Sequence, residues 1–254
     1  MTERVLTEQQ VADFCRDGFL VVRGMYFGDE VADIDRWTNE VAGSPEIPGK
    51  YMMYFEPGPG PEHSRIISRI ENFIPFHAGF RELITRRRMQ QAVSELYGSE
   101  AVLFKDKINF KLPGADGFKE HQDVQAGWDT YAPLHITAMI AIDATTEENG
   151  SLEMVPGMHN KGVLGQMWAP LTDEDTDYRE YQAVHCKPGD AVFFDSYAPH
   201  RSAPNYSSEQ RRVLYITYNK LSDGDHREQY YADKRLSYPP DIERDPDKDY
   251  SFRV

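Results

Sequence analysis

Cysteine is scarce in this sequence: Cys15 and Cys186 are the 2 cysteines among 254 residues. So few cysteines, so far apart, exclude a disulfide framework, a cysteine-rich zinc site and a Cys-x-x-Cys redox motif. No apolar run approaches the roughly 20 residues that a membrane-spanning helix needs. The first residues also lack the basic stretch and following apolar stretch of a secretory leader. We therefore expect a cytoplasmic protein with no membrane partner.

Positive charge is also in short supply. The chain has 28 lysines and arginines against 42 acidic residues, which gives a net charge of −14. Nonspecific nucleic-acid binding depends on clustered positive charge, so this balance argues against a nucleic-acid partner. It is compatible with a small positive pocket for a small-molecule substrate. A hydrophobic share of 40% is typical of a folded globular protein, and the composition leaves the oligomeric state open.

The N-terminal part, residues 1–100, is predicted to consist mainly of helices. The spacing of apolar residues predicts helices over 7–16, 29–41 and 80–97, with a short strand over 19–22. The first helix opens with a capping box, Thr7 with Gln10 three positions later. Residues 43–62 are rich in proline and glycine and contain aromatic residues in the middle, so this segment is predicted to be either a lid or a packed loop.

The pattern changes after residue 100. Residues 101–220 contain short runs of period two that are separated by Gly, Pro and Asn turns. The predicted strands cover 101–112, 134–142, 151–155, 183–186, 191–194 and 212–218. Such runs are typical of an antiparallel sandwich or barrel. The polar tail, 221–254, is predicted to wrap over the surface with a little helix, and the whole of 1–254 to form a single, mainly β domain with flanking N-terminal helices.

Two histidines and one aspartate have the spacing of a metal site. In His121-Gln122-Asp123 an extended backbone would place both end side chains on one face. His200 follows the predicted strand 191–194 and could supply a third ligand. Two histidines and one carboxylate form the facial triad of non-haem Fe(II) oxygenases. A His-x-Asp pair alone is weak evidence for a metal site, because such a pair also occurs as an ordinary surface contact.

Arg211 opens the last predicted strand and could bind a carboxylate with both arms of its guanidinium. The alternative is a strand-end charge in water. Strand periodicity places Val213, Tyr215 and Thr217 on the same face as Arg211, and it places Arg212 on the opposite face.

Several segments together resemble one known family. They are Lys107–Gly114 (KINFKLPG), His121–Asp123, Asn149–His159 (NGSLEMVPGMH), Lys187–Phe194 (KPGDAVFF), His200–Ser202 and Arg211–Tyr218. In this order, over about residues 5–220, they resemble the phytanoyl-CoA dioxygenase-like Fe(II)/2-oxoglutarate dioxygenases. Their local sequence is also similar to that of ectoine hydroxylases of the same superfamily. The resemblance implies a double-stranded β-helix, a jelly-roll of the cupin-like type, and an oxidoreductase that uses Fe(II), 2-oxoglutarate and O2.

The resemblance also implies residue roles. His121, Asp123 and His200 would be the catalytic iron ligands. Arg211 would bind the distal carboxylate of 2-oxoglutarate with help from Ser202. Asn109 and Thr137 match positions that also contact 2-oxoglutarate. Chlorinating relatives replace the metal carboxylate with a small residue; because Asp123 is present, hydroxylation is the expected reaction.

Two lysines indicate the charge of the substrate. If Asn109 faces the iron site, Lys107 and Lys105 share its face by strand parity. Lysines inside a protein are costly unless an anion pairs with them. 2-Oxoglutarate could satisfy one, and a phosphonate, phosphate or carboxylate on the substrate the other. The alternative is that Lys105 lies in water at the mouth of the barrel.

Aromatic residues near the expected mouth suggest a second contact. Trp128, Tyr131, Tyr197 and Tyr215 fall there, and their faces could hold an ammonium group by cation–π attraction. Ordinary core packing is the alternative explanation for most of them. Of these, Trp128, Tyr197 and Tyr215, with Lys107, are the predicted substrate contacts.

An anion site beside aromatic residues suits a small zwitterion. The family includes hydroxylases of aminoalkylphosphonates. The leading hypothesis is therefore hydroxylation at C1 of a 2-aminoethylphosphonate-type substrate, with or without trimethylation, as a step in phosphonate catabolism. The first alternative is a hydroxylase of an ectoine-like or secondary-metabolite substrate. The second is a non-catalytic metal-binding sensor on the same fold.

Overall fold

The computed structural model describes residues 4–57, 65–85 and 87–250. The helices in these parts of the chain are α1 (Glu8–Asp17), α2 (Asp29–Ala42), α3 (Ala78–Thr85), α4 (Arg87–Tyr97) and α5 (Arg227–Ser237). The strands are β1 (Phe19–Val22), β2 (Met52–Pro57), β3 (Arg65–Glu71), β4 (Ala101–Lys111), β5 (Phe118–His121), β6 (His135–Ala141), β7 (Leu152–Met154), β8 (Gln182–Val184), β9 (Ala191–Asp195), β10 (His200–Ser202) and β11 (Arg211–Lys220). Among the described helices, none is long and apolar enough to cross a membrane.

The strands form two antiparallel sheets. A seven-stranded sheet has the order β1-β9-β6-β11-β4-β3-β2, and a four-stranded sheet has the order β5-β10-β7-β8. Residues of both sheets line a common cavity between them. This is the jelly-roll, double-stranded β-helix with flanking helices that the sequence predicts.

The period of two on β4 and β11 separates a helix-packed face from a cavity face. Ile108, Leu214 and Ile216 are fully buried in one core cluster with residues of α1 to α4. The alternate residues Asn109 and Tyr215 line the cavity. Fully burying one such aliphatic side chain stabilises the fold by about 1.5–3 kcal/mol. A one-residue slip would exchange the two faces, so this burial fixes which side chains face the site.

The predicted first helix has the predicted cap. Thr7 Oγ1 accepts from the backbone N–H of Gln10 at 3.1 Å, and Gln10 Oε1 accepts from Thr7 N–H at 2.8 Å. The helix ends at Gly18, whose φ of +80° favours glycine. A Cβ there would lie 2.4 Å from the ring of His159, so glycine at this position also lets the loop at 159 pack against α1.

The segment 43–62 is not a loop throughout. Residues 52–57 form β2, which pairs with β3 and extends the large sheet beyond β4. Met52, Met53 and Tyr54 are buried in it. Proline and glycine in the flanking sequence hid the strand, and β3 was not predicted either. Residues 58–62 lie outside the described residues.

Two further predictions need correction. In place of the single predicted helix over 80–97, the described residues form α3 (Ala78–Thr85) and α4 (Arg87–Tyr97), and position 86 between them lies outside the described residues. The tail is more than a surface wrap, because α5 buries Tyr230 and Tyr231 against the large sheet. Tyr231 donates from its hydroxyl to the backbone carbonyl of Asp106 at 2.9 Å on β4. This contact gives the polar sequence of α5 a fixed place beside the cavity.

Candidate active site

His121, Asp123 and His200 meet at one end of the small sheet. His121 ends β5 and His200 begins β10, and these two residues are opposite each other in the strand pairing. Asp123 opens a short 3-10 turn directly after β5. Oδ1 of Asp123 lies 3.9 Å from Nε2 of each histidine. One donor atom from each residue therefore lies within 4.8 Å of the others.

Backbone carbonyls orient both histidines. Nδ1 of His121 donates to the carbonyl of Lys119 at 2.7 Å, and Nδ1 of His200 donates to that of Ala198 at 3.0 Å. Because a carbonyl only accepts, each Nδ1 carries the proton and each Nε2 keeps its lone pair. Both lone pairs lie on the side of Asp123. This donor set fits a divalent iron with open coordination positions.

Electrostatics favour the ligating protonation states of His121 and Asp123. Burial, together with the nearby His200, lowers the pKa of His121 to about 4. Burial alone would raise the pKa of Asp123, but attraction to His200, His121 and Lys107 outweighs it, and the pKa of Asp123 is lowered. At neutral pH His121 is therefore a neutral imidazole and Asp123 a carboxylate, the forms that bind metal. Thr137 Oγ1 donates to Asp123 Oδ2 at 3.3 Å and braces it.

A pair of buried cations, Arg211 and Lys111, lies behind the lining of the inner part of the site, in contact with Tyr215 and Ser202. Arg211 is only 2% exposed, and its Nε and Nη1 have no hydrogen-bond partner among the described residues. Lys111 pairs with Arg211 across β4 and β11 and donates from Nζ to Ser202 Oγ at 2.8 Å. Burial and the charge of Arg211 lower the pKa of Lys111 to about 7. Buried donors without partners are costly, so this part of the site suits a carboxylate.

Most of the predicted site residues surround the triad. A small inner cavity is lined by Lys107, Asn109, His121, Asp123, Trp128, Thr137, His200, Ser202 and Tyr215. An outer cavity of about 670 Å³ adjoins it and shares Lys107, His121, Asp123 and Trp128. Arg211 is buried beside Tyr215, with which it interacts.

Tyr197 lies elsewhere. It is absent from the lining of both cavities, and its hydroxyl donates to the carbonyl of Pro133 at 3.1 Å. Its own carbonyl accepts from Gln122 Nε2 at 2.6 Å. The structure therefore gives Tyr197 a contact with the backbone around the triad and none with the cavity, which departs from its predicted place at the substrate.

The sequence pointed to two of the four cations beside the triad, Lys105 and Lys107, and missed the other two, Arg69 and Lys234. The cationic wall, as we call it, consists of Arg69, Lys105, Lys107 and Lys234, all of which line the outer cavity. The fully buried Glu71 faces three of them: its carboxylate oxygens lie 3.2 Å from Arg69 Nε, 3.8 Å from Lys105 Nζ and 2.6 Å from Lys234 Nζ. Lys105 is 8% exposed, so it does not lie in water at the mouth.

Lys107 is the member of the wall without an ion pair to a carboxylate among the described residues. Burial, and then the neighbouring charge of Lys105, lowers its pKa to about 7, although Asp123 and Glu71 oppose this. The period of two in Arg65–Glu71 would have placed Arg69 and Glu71 on one face, had the strand been recognised. Helical spacing from the buried Tyr230 would likewise have pointed to Lys234.

The aromatic residues of the cavity already contact cations of the protein. Lys105 Nζ lies 5.2 Å from the ring centroid of Trp128 and 5.3 Å from that of Tyr230. Lys107 Nζ lies 4.6 Å from the ring of Tyr215. These distances are within the range of cation–π attraction. Trp128 and Tyr215 therefore help to hold the lysines, a use that the sequence did not suggest.

Comparisons with known proteins agree with this geometry. The family model for phytanoyl-CoA dioxygenase (PhyH) matches residues 14–213. The chain is 40% identical over 246 residues to a 2-aminoethylphosphonate dioxygenase of the uncultured bacterium HF130_AEPn_1, covering 96% of this chain and 94% of the relative. It is 38% identical over 234 residues to a methylphosphonate hydroxylase of Gimesia maris, covering 92% of this chain and 88% of the relative.

A solved structure shares the fold. EctD from S. alaskensis, crystallised with 2-oxoglutarate and 5-hydroxyectoine, has a TM-score of 0.74 at 21% identity and covers 88% of this chain and 79% of its own. The chain thus belongs to the phytanoyl-CoA dioxygenase family. It is an Fe(II)- and 2-oxoglutarate-dependent dioxygenase that acts on a small molecule, which confirms the resemblance and the enzyme class expected from the sequence.

Proposed function

We propose that this enzyme hydroxylates a small phosphonate at the carbon bonded to phosphorus, with a 2-aminoethylphosphonate-type compound as the substrate. The cationic wall is the observation that carries the proposal. Four buried or half-buried cations line the cavity beside Asp123, and Glu71 is the buried carboxylate among them. The excess of positive charge is best matched by an anion with up to two negative charges on three oxygens, as in a phosphonate.

In this proposal the triad binds the metal cofactor and Arg211 binds the co-substrate. His121, Asp123 and His200 hold Fe(II). Arg211 binds the distal carboxylate of 2-oxoglutarate, which gives its unpartnered nitrogens an acceptor. Ser202, Asn109 and Thr137 line the inner cavity together with Tyr215, which Arg211 contacts, and they complete the co-substrate pocket.

The overall reaction balances as a C–H bond, O2 and 2-oxoglutarate giving a C–OH bond, succinate and CO2. When bound, the iron supplies the oxidising chemistry. The chain itself binds and orients the two organic molecules. The lysines attract the phosphonate, while the buried Trp128 helps to exclude water from the reacting carbon.

The names of the two relatives reported above support a phosphonate, since 2-aminoethylphosphonate and methylphosphonate share that group. An ectoine-like substrate is less well supported. A relative named ectoine dioxygenase, from Bordetella bronchiseptica, is 24% identical. The single carboxylate of an ectoine-like substrate would also neutralise less of the positive charge of the cationic wall. The non-catalytic sensor is not favoured, because the chain belongs to a family of enzymes. A cytoplasmic location, a single domain over 1–254 and the absence of nucleic-acid and membrane partners stay predictions.

The proposal is tested by succinate formation with Fe(II), 2-oxoglutarate and O2. We expect 2-aminoethylphosphonate to stimulate succinate formation in proportion to a new phosphorus NMR signal from the 1-hydroxy product. β-Alanine, its carboxylate analogue, and ectoine serve as controls. Stimulation by either control in the absence of stimulation by the phosphonate would contradict the proposal.

A further inference from the structure

Helix α5 forms one wall of the outer cavity. Tyr230, Asp233, Lys234 and Ser237 follow the spacing i, i+3, i+4 and i+7 of one helical face, and all four line the cavity. Two adjacent residues of this face carry opposite charges. Lys234 belongs to the cationic wall and contacts Glu71, whereas Asp233 contacts Tyr131. The helix therefore presents a positive group and a negative group to the same cavity.

Asp233 is held in place but keeps capacity for a ligand. Its Oδ2 accepts from the hydroxyl of Tyr131 at 2.7 Å, and its Oδ1 accepts from Gln229 Nε2 at 2.7 Å. Each carboxylate oxygen can accept a further hydrogen bond. Within the described parts of the chain, no lysine or arginine forms an ion pair with Asp233. The other carboxylates that line this cavity are Asp123 of the triad and the exposed Asp249.

The cavity therefore carries groups of opposite charge. The cationic wall lines it together with residues of the triad, and the half-buried Asp233 lines it beside Tyr131. The ring centroids of Tyr131 and Tyr230 are 5.7 Å apart. A molecule with a phosphonate at one end and an ammonium at the other matches this pair of opposite charges. It would lie with the carbon next to phosphorus beside the triad and its ammonium toward Asp233.

The aromatic residues also favour one kind of ammonium. Lysines of the cationic wall already cover Trp128, Tyr230 and Tyr215, so these rings do not form an open cage for methyl groups. A carboxylate binds an ammonium most strongly when the ammonium donates N–H bonds. We propose that Asp233 binds the primary ammonium group of the substrate, with Tyr131 as its positioning residue. This inference rests on the proposed function and adds the residue that distinguishes an aminoalkylphosphonate from a plain alkylphosphonate.

The test compares 2-aminoethylphosphonate with propylphosphonate, in which a methyl replaces the ammonium. We expect the wild-type enzyme to prefer the amine in kcat/KM by about ten- to hundredfold, the effect of one charge-assisted hydrogen bond. Asp233→Asn should lose most of this preference, through a higher KM for the amine, and should keep its activity on propylphosphonate. Calorimetric titration of both compounds under nitrogen should show the same change in affinity without turnover.

Tyr131→Phe distinguishes ammonium binding by Asp233 from a purely structural role of Asp233 in α5. This variant removes one hydrogen bond to Asp233 and keeps the carboxylate, so it should retain the preference for the amine within a few-fold. If Tyr131→Phe and Asp233→Asn lose activity equally on both compounds, Asp233 only supports the helix and the inference is wrong. Equal wild-type activity on both phosphonates would overturn the Asp233 subsite alone. No activity on any phosphonate would overturn the proposed function as well.

Discussion

Lys234 donates from Nζ to Oε2 of Glu71 at 2.6 Å, although the two residues are 163 positions apart in the chain. This ion pair joins α5 to β3 at the side of the cavity. Glu71 is fully buried and also faces Lys105 and Arg69. One carboxylate therefore stabilises three members of the cationic wall.

Glu71→Gln should destabilise the fold, because three cations lose their buried counter-charge. Removing one partner of a buried ion pair costs about 3–5 kcal/mol. We expect urea unfolding to show a loss of this order, reduced when inorganic phosphate is added as a replacement anion. Glu46→Gln, at a more exposed carboxylate paired with Arg65, is the control and should cost at most about 1 kcal/mol. A Glu71→Gln variant as stable as the wild type would show that the wall does not need this carboxylate.

Asp123→Ala should abolish turnover, since it removes one of the three proposed iron ligands. The sheets do not depend on this side chain, so the far-UV circular dichroism spectrum should stay that of the wild type. Iron content measured after reconstitution should fall in parallel with activity. Wild-type activity in Asp123→Ala would disprove the triad assignment.

Arg211→Ala should mainly weaken 2-oxoglutarate binding. Loss of a buried charge pair costs about 2–5 kcal/mol, which is roughly 30- to several-thousand-fold in affinity. Arg212→Ala is the matched control. Arg212 lies on the opposite face, where its guanidinium contacts Asp143 and Asp35. It should affect stability and leave 2-oxoglutarate affinity almost unchanged. Equal loss of affinity at both positions would mean that Arg211 is not the co-substrate anchor.

Lys107→Met should raise the KM for the phosphonate and leave 2-oxoglutarate affinity nearly intact, because it keeps the apolar stem and removes only the charge. Lys107→Arg should also lose activity, since a planar guanidinium does not replace a compact ammonium in this cavity. Steady-state kinetics with each substrate varied in turn separates the two effects. Lys187→Met, at an exposed lysine, is the control. A selective loss of 2-oxoglutarate binding would assign Lys107 to the co-substrate instead.

Asp195→Asn should stabilise the protein at alkaline pH. Burial raises the pKa of Asp195 to about 6, whereas an unfolded aspartate titrates near 3.9. Between these values the folded state holds a proton that the unfolded chain releases, so stability falls as the pH rises through this window. The penalty above pH 6 is of the order of 3 kcal/mol. The amide can still accept from the Tyr197 N–H that now contacts Asp195 Oδ1.

Thermal melting at pH 8 and at pH 4 tests this expectation. The variant should melt at a higher temperature than the wild type at pH 8, and the difference should nearly vanish at pH 4. Asp116→Asn, at an exposed position, controls for the general effect of removing one negative charge. A stabilisation of Asp195→Asn that does not depend on pH would contradict the raised pKa.

The sequence by itself determined which side chains share a face at His121-Gln122-Asp123 and along β4 and β11. His121 and Asp123 are two positions apart, so local backbone geometry brings them together in almost any extended chain. Strand parity placed Lys107 with Asn109 and Arg212 opposite Arg211, because the alternation of side chains across a strand is set within the strand itself. These features depend on short-range geometry, and the structure agrees with them.

Only the tertiary structure decided what surrounds the triad. Arg69 and Glu71 lie on a strand whose flanking sequence obscured it, and Asp233 and Lys234 lie on a helix whose polar composition is typical of a solvated surface. Tyr197 falls next to a predicted strand, yet its hydroxyl contacts Pro133 outside the cavity. The cationic wall is held by an ion pair between Lys234 and Glu71, which are 163 positions apart. Its stability comes from burial and charge pairing across the fold, which no local pattern in the sequence contains.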